Sequence, residues 1–267
     1  MVKKRLFLFI SALTLFLGLN AQTNQFEGLG QYSKFGIVIG GSLYDKAKIE
    51  REYGELSFKN KPIPSYSFGI EYDLFPKNRW SVITGLNASL EPIYNVEYTI
   101  KAEDISGMTE DLTDGASQYS TMSFSAPILI TFKEKLSEKI YLEFRLGIKA
   151  LYYLDGFAEH SVSFVDEVAL TSTSVFGLRM ETTNMNNLYG SFVFGGGINF
   201  ITKWSLIKLN LVYNYNFQNT MEGEYLFDNL IVSKRTYGKY YLSGNYIGLN
   251  AVFHFNKNIF KRKYKKE

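Results

Sequence analysis

The chain has 267 residues, a formal net charge of +3 and no cysteine. The missing thiols exclude a disulfide framework, a thiolate metal site and a cysteine nucleophile together. Aromatic residues make up 16%, and 22 Phe and 20 Tyr stand beside 22 Gly, a mixture suited to strands with large side chains on one face and small or polar ones on the other.

The chain opens with Lys3, Lys4 and Arg5, runs apolar from Leu6 to Leu19 and reaches Asn20-Ala21. That order predicts a secretory signal peptide over residues 1–21, with the mature chain starting at Gln22. The apolar run is shorter than the roughly 20 residues of a spanning helix, which disfavours an uncleaved anchor. No cysteine follows the cut, so lipoprotein processing is excluded. Nothing later in the chain is apolar enough for a membrane helix.

A period of two then recurs eight times, as membrane-barrel strands require. Ser33–Leu43 sets Phe35, Ile37 and Ile39 against Gly36, Val38, Gly40 and Ser42. Ser65–Leu74 sets Tyr66, Phe68, Ile70 and Tyr72 against Ser67, Gly69, Glu71 and Asp73. Trp80–Leu90 follows after a tight turn, with Trp80, Val82, Leu86 and Ala88 outward. Thr121–Phe132 places Phe124, Ala126, Ile128 and Ile130 on one face, although Pro127 normally demotes a central strand.

Ile140–Ala150 is the clearest case: Ile140, Leu142, Phe144, Leu146 and Ile148 oppose Glu143, Arg145 and Lys149. Alone it fits a half-exposed strand of a soluble sandwich as well; repetition decides for the barrel. Leu188–Phe200, Leu206–Phe217 and Tyr246–Phe255 complete the set, with Lys208 and His254 on inward positions. The fold expected is therefore all-β, an eight-stranded antiparallel up-and-down transmembrane barrel with long extracellular loops. Ser161–Leu170 and Ser172–Thr182 read as a hairpin in the third long loop; were it to insert, the barrel would have ten strands. Asp166 and Glu167 argue against insertion, because charge on a lipid face is penalised.

Short and long connections alternate, which puts both termini on the periplasmic side. The domains expected are the signal peptide, a barrel over 22–256 and a basic periplasmic tail over 257–267. That tail carries Lys257, Lys261, Arg262, Lys263, Lys265 and Lys266 against Glu267. Acidic residues gather in the long loops, with Glu91, Glu97, Glu103, Asp104, Glu110, Asp111 and Asp114 in the second. The short turns read as basic, through Lys77, Arg79, Lys133, Lys135, Lys139 and Lys203.

Gly69-Ile-Glu-Tyr-Asp-Leu, Trp80-Ser-Val-Ile-Thr-Gly-Leu-Asn and Phe124-Ser-Ala-Pro-Ile-Leu-Ile resemble segments of the PorT-like outer-membrane β-barrel proteins of Bacteroidetes. So do Gly195-Gly-Gly-Ile-Asn-Phe and Ile247-Gly-Leu-Asn-Ala-Val-Phe-His-Phe. The resemblance covers nearly the whole mature chain, and the order of the segments carries it. It implies a cell-envelope barrel in which a proline in the fourth strand is common. Its name-giving member serves type IX protein secretion, so membership implies fold and address more than activity.

Candidate chemistry is sparse. His160, beside Ser161 and near Asp166, has the residue types of a hydrolytic site, but a solvated loop histidine is the simpler reading. The acidic loops lack the spacing of a calcium loop. Glu71, Asp73, Glu143, Arg145, Lys149 and Lys208 are expected to pair across a lumen too narrow for a pore, with a gated ion path as the sharper alternative. No glycine-rich phosphate loop opens a helix, so no nucleotide cofactor is implied. The basic tail favours anionic headgroups over nucleic acid.

The reading is a non-enzymatic barrel with no catalytic, cofactor or metal residues, acting as a structural, adhesive or binding platform through its loops. Outer-membrane lipid and lipopolysaccharide are its expected surroundings, and envelope or secretion-machine proteins its possible partners. The rival classes are an accessory component of such a machine and an outer-rim lipid- or peptide-modifying enzyme.

Overall fold

A computed structural model describes residues 24–119, 122–154, 156–166 and 171–258. The expected signal peptide and nearly all of the basic tail lie outside them. Eight strands close into one antiparallel barrel: β1 (Phe35–Tyr44), β4 (Ile63–Asp73), β5 (Trp80–Ser89), β8 (Ser123–Lys135), β9 (Ile140–Tyr153), β12 (Leu188–Ile201), β13 (Ser205–Asn216) and β16 (Tyr246–Phe255). Each pairs with the next barrel strand in the chain, and β16 returns to β1. Closure pairs every barrel strand on both sides and removes the sheet edge that lipid does not tolerate.

The period-two pattern decides which face goes where. Phe35, Ile39, Phe68, Leu86, Phe144, Leu146, Phe194, Leu211 and Leu249 are exposed on the barrel exterior, while Val38, Ile83, Leu129, Val193 and Val212 are buried in the lumen with the ionic groups. Aromatic side chains gather at both ends of the apolar belt. Phe35 packs on Tyr72 and Trp80 on Phe132 at the short-turn end; Phe124, Tyr152, Phe192 and Tyr215 lie at the other. From Phe132 to Phe124, the strand rise and tilt give roughly 21 Å, close to the ~25 Å apolar band of a membrane barrel.

Pro127 stands inside β8, where it lacks the N–H a ladder needs. The paired register between β5 and β8 runs from Trp80↔Phe132 to Thr84↔Ile128 and resumes at Asn87↔Ser125, so it lapses opposite the proline. Gly147 in β9 meets a different constraint: a Cβ there would come 2.1 Å from the Ile128 carbonyl oxygen.

The short-turn end is sealed. The 3₁₀ segment Asn24–Gln31 puts Phe26 and Leu29, followed by Tyr32, against the inward side chains of Tyr141 and Leu206. Tyr32 Oη donates to the Thr202 carbonyl at 2.7 Å, and Tyr32 bridges Asn256. The two described ends of the chain therefore meet at this rim.

The long connections are not irregular loops. β2 (Lys48–Tyr53), β10 (Phe157–Asp166), β11 (Thr171–Thr182), β14 (Met221–Phe227) and β15 (Thr236–Leu242) form a five-stranded sheet in the order β10-β11-β14-β15-β2. β3 (Phe58–Asn60), β6 (Pro92–Ile100) and β7 (Leu112–Tyr119) form a three-stranded one. The two sheets bury a shared core, with Phe58 against Tyr225 and Tyr98 against Phe176 at ring separations of 4.9 and 4.5 Å. The expected hairpin of the third loop is β10–β11; it joins this head and leaves the barrel at eight strands.

Candidate functional site

Two places concentrate polar chemistry: a layer of ionic side chains across the lumen and the head above it. The inward positions of β4, β8, β9 and β13 deliver Glu71, Asp73, Lys133, Glu143, Arg145 and Lys208 to one level, all buried. Lys208 Nζ lies 2.9 Å from Glu71, 3.5 Å from Asp73 and 3.6 Å from Glu143. Lys133 Nζ donates to Asp73 at 3.1 Å and to the Pro76 carbonyl at 3.2 Å. Arg145 spans Glu71 and Glu143, while Asn199 donates to the second Glu143 oxygen at 3.0 Å. Ser81 donates to Asp73, and His254 Nε2 stands 3.4 Å from Glu71.

Such a layer is stable because each charge meets opposite charge and hydrogen bonds at once; removing one partner of a buried pair costs about 3–5 kcal/mol. It fills the bore of an eight-stranded barrel, which is only wide enough for side chains. The cross-lumen pairing expected from sequence is thus observed, with two adjustments. Lys133 is not a turn residue: β8 runs to Lys135, and the alternation carries Lys133 inward. Lys149 is inward but pairs with no carboxylate among the described residues; it donates to Tyr246 Oη at 3.1 Å and sits 4.7 Å from that ring's centroid.

In the head, His160 is a half-buried core residue of β10, not a solvated loop histidine. Its ring lies 5.9 Å from Tyr94, 6.4 Å from Tyr98 and 6.1 Å from Phe176. Ser161, the next residue of the strand, is exposed on the opposite face, as the pleat requires. Asp166 is six residues further along, roughly 20 Å at the strand rise. The backbone does not bring these three together as nucleophile, base and orienting acid.

Asp104, which the sequence places among the acidic residues of the second long loop, is instead buried. It is 1% exposed, and its carboxylate accepts from Val232 N at 3.2 Å and from Ser233 N and Oγ at 2.6 and 2.7 Å. Its carbonyl takes Ile231 N at 3.0 Å. The second long connection thereby clamps the tip of the fourth. That tip leaves Ile231 65% and Val232 60% exposed at the far end of the head.

The outer face of the five-stranded sheet is charged instead. Glu159, Arg179, Glu224, Lys239 and Glu50 stand at successive register positions across all five strands, alternating in sign. Opposite charges on neighbouring strands stabilise a sheet. Burial pushes the Tyr98 phenol, which also donates to Asp114 at 3.2 Å, and the Tyr240 phenol well above the usual tyrosine range. Among the described residues no group of three His, Asp or Glu side chains is arranged to hold a metal ion.

No protein-family model and no curated protein matches the chain. Among solved structures it is similar to the outer membrane protein OprG from Pseudomonas aeruginosa, at 10% identity and a TM-score of 0.41 over 84% of this chain and 96% of that one. At that level the reading of the barrel rests on its own strand pairing.

Proposed function

We propose that this protein is an outer-membrane barrel that displays a rigid extracellular β-sandwich as a binding platform, with its termini on the periplasmic side. The observation that carries this reading is the union of all four long connections into one head with its own aromatic core, above a lumen closed by ion pairs. The apolar belt between two aromatic girdles supports the membrane address. A head so ordered supports binding over transport, because a preorganised surface spends little conformational entropy when it docks. The exposed Ile231–Val232 tip, clamped by Asp104, is its best anchor: an apolar pair held in place loses little freedom on docking and removes apolar area from water.

The test is site-specific photo-crosslinking in intact cells that make the protein. A crosslinker at Val232 is expected to give discrete adducts, and one at lipid-facing Leu146 to give none with soluble proteins. Absence of adducts from every exposed head position would refute the platform. An accessory role in an envelope machine such as type IX secretion, the second reading, rests on the segments that resemble those of PorT-like proteins. It predicts adducts from the short-turn rim, at Lys139 or Lys203, instead of the head.

A further inference from the structure

Above the ion-pair layer the lumen contains a cavity of about 70 Å³, lined by Arg145, Lys149, Asn87, Ser125 and Glu91 among others. At the ~10–15 Å³ that one water centre needs, it has room for roughly five to seven water-sized atoms. Tyr44 and Tyr246, with ring centroids 4.8 Å apart, border it on the head side.

Three buried groups on this cavity keep unmet hydrogen-bonding capacity. Lys149, 6% exposed, uses one donor on Tyr246 and meets no carboxylate among the described residues, which leaves two N–H groups. Arg145 commits its terminal nitrogens to Glu71 and Glu143, but its Nε–H has no acceptor. Asn87 Oδ1 has no donor. Unmet cationic donors thus outnumber the unmet acceptor.

The ion pairing leans the same way. Of the buried cations of the barrel, Lys133, Arg145 and Lys208 each stand within ion-pair distance of a carboxylate, whereas Lys149 forms no ion pair among the described residues. A buried charge left unpaired in a low-dielectric interior is costly.

We propose that the cavity is a binding site for a small, singly charged oxyanion that carries a hydroxyl, of the hydrogencarbonate or dihydrogenphosphate type. Its oxygens accept from Lys149 Nζ and Arg145 Nε, and its O–H donates to Asn87 Oδ1. Its charge pairs with the Lys149 ammonium. Water supplies the hydrogen bonds without the charge; chloride supplies the charge and leaves Asn87 unpaired.

The test is equilibrium dialysis of the folded full chain in detergent against labelled inorganic phosphate and, separately, labelled hydrogencarbonate, with chloride and acetate as competitors. Saturable binding of one of the two oxyanions is expected, weakened at least tenfold in Lys149→Met. Asn87→Leu is expected to weaken the oxyanion while leaving the affinity of chloride, read by competition, unchanged. Heat-modifiable migration checks that each variant is folded; if Lys149→Met does not fold, Asn87→Leu carries the test. The proposal is overturned if neither oxyanion binds saturably, or if folded Lys149→Met binds as well as the parent. It is equally overturned if Asn87→Leu leaves oxyanion affinity unchanged.

Discussion

Asp104→Ala tests the idea that one buried carboxylate holds the distal tip of the head in shape. The substitution removes the acceptor for Val232 N, Ser233 N and Ser233 Oγ. A hydrogen bond to a charged group contributes about 1.5–3 kcal/mol, and a donor left unsatisfied costs about 1–3 kcal/mol. Removal of a desolvated carboxylate offsets part of this. The Ile231 contact to the Asp104 carbonyl is a backbone bond and survives. The net loss is about 2–4 kcal/mol in the stability of residues 228–235, confined to the tip because the aromatic core beneath is untouched.

That loss raises the open population of the tip about 30- to 700-fold, at tenfold per 1.4 kcal/mol. Lys234 and Arg235 stand next to the clamp, so trypsin reads the opening directly. The assay is limited proteolysis of the folded protein, with cleavage at Lys234 or Arg235 followed over time. The expected result is faster cleavage there with unchanged heat-modifiable migration of the barrel. Asp104→Asn keeps one carbonyl-type oxygen for the two backbone donors and is expected to fall between parent and alanine variant. Equal cleavage rates in parent and Asp104→Ala would refute the clamp.

Three further outcomes follow from the same geometry. Lys208→Met withdraws the cation shared by Glu71, Asp73 and Glu143 and is expected to lower unfolding free energy in lipid by about 3–5 kcal/mol, read from urea titrations; an unchanged midpoint would contradict a structural role for the layer. Leu146→Arg puts a charge in the middle of the exposed apolar belt and is expected to cost about 2–4 kcal/mol in a bilayer, whereas Ile231→Arg at the head tip leaves barrel stability unchanged. The raised Tyr98 and Tyr240 phenols contribute head stability that is present below the ordinary tyrosine value near pH ~10 and lost as pH rises through their folded values. Protection of the head from proteolysis is therefore expected to fall in strong alkali; a flat profile would count against burial of these two rings.

The eight barrel strands were legible because lipid on one side and a packed lumen on the other impose a strict period of two. Ile140 to Ala150 displayed it in full, and the same alternation fixed Glu71, Glu143, Arg145, Lys208 and His254 as inward. Apart from the β10–β11 hairpin, the strands of the head escaped notice for a related reason. Met221, Tyr225 and Phe227 alternate, as do Tyr240 and Leu242, but a short alternating run with no partner in view reads equally as a loop. His160 and Asp104 were misread by default: a polar residue in a long connection is usually solvated, and only the opposing sheet makes one of them a core residue and the other a clamp. Lys133 was lost to a strand end placed three residues too early.

Sequence by itself determined the barrel, its strand count and which side chains face lipid, because these follow from local periodicity and from the cost of unpaired backbone in a membrane. Tertiary structure alone decided that the four long connections form one head, that Asp104 joins two of them, and that Arg145, Lys149 and Asn87 border one cavity. Those facts depend on pairings between residues far apart in the chain, such as Asp104 with Ser233 and Lys149 with Tyr246. No local pattern records them.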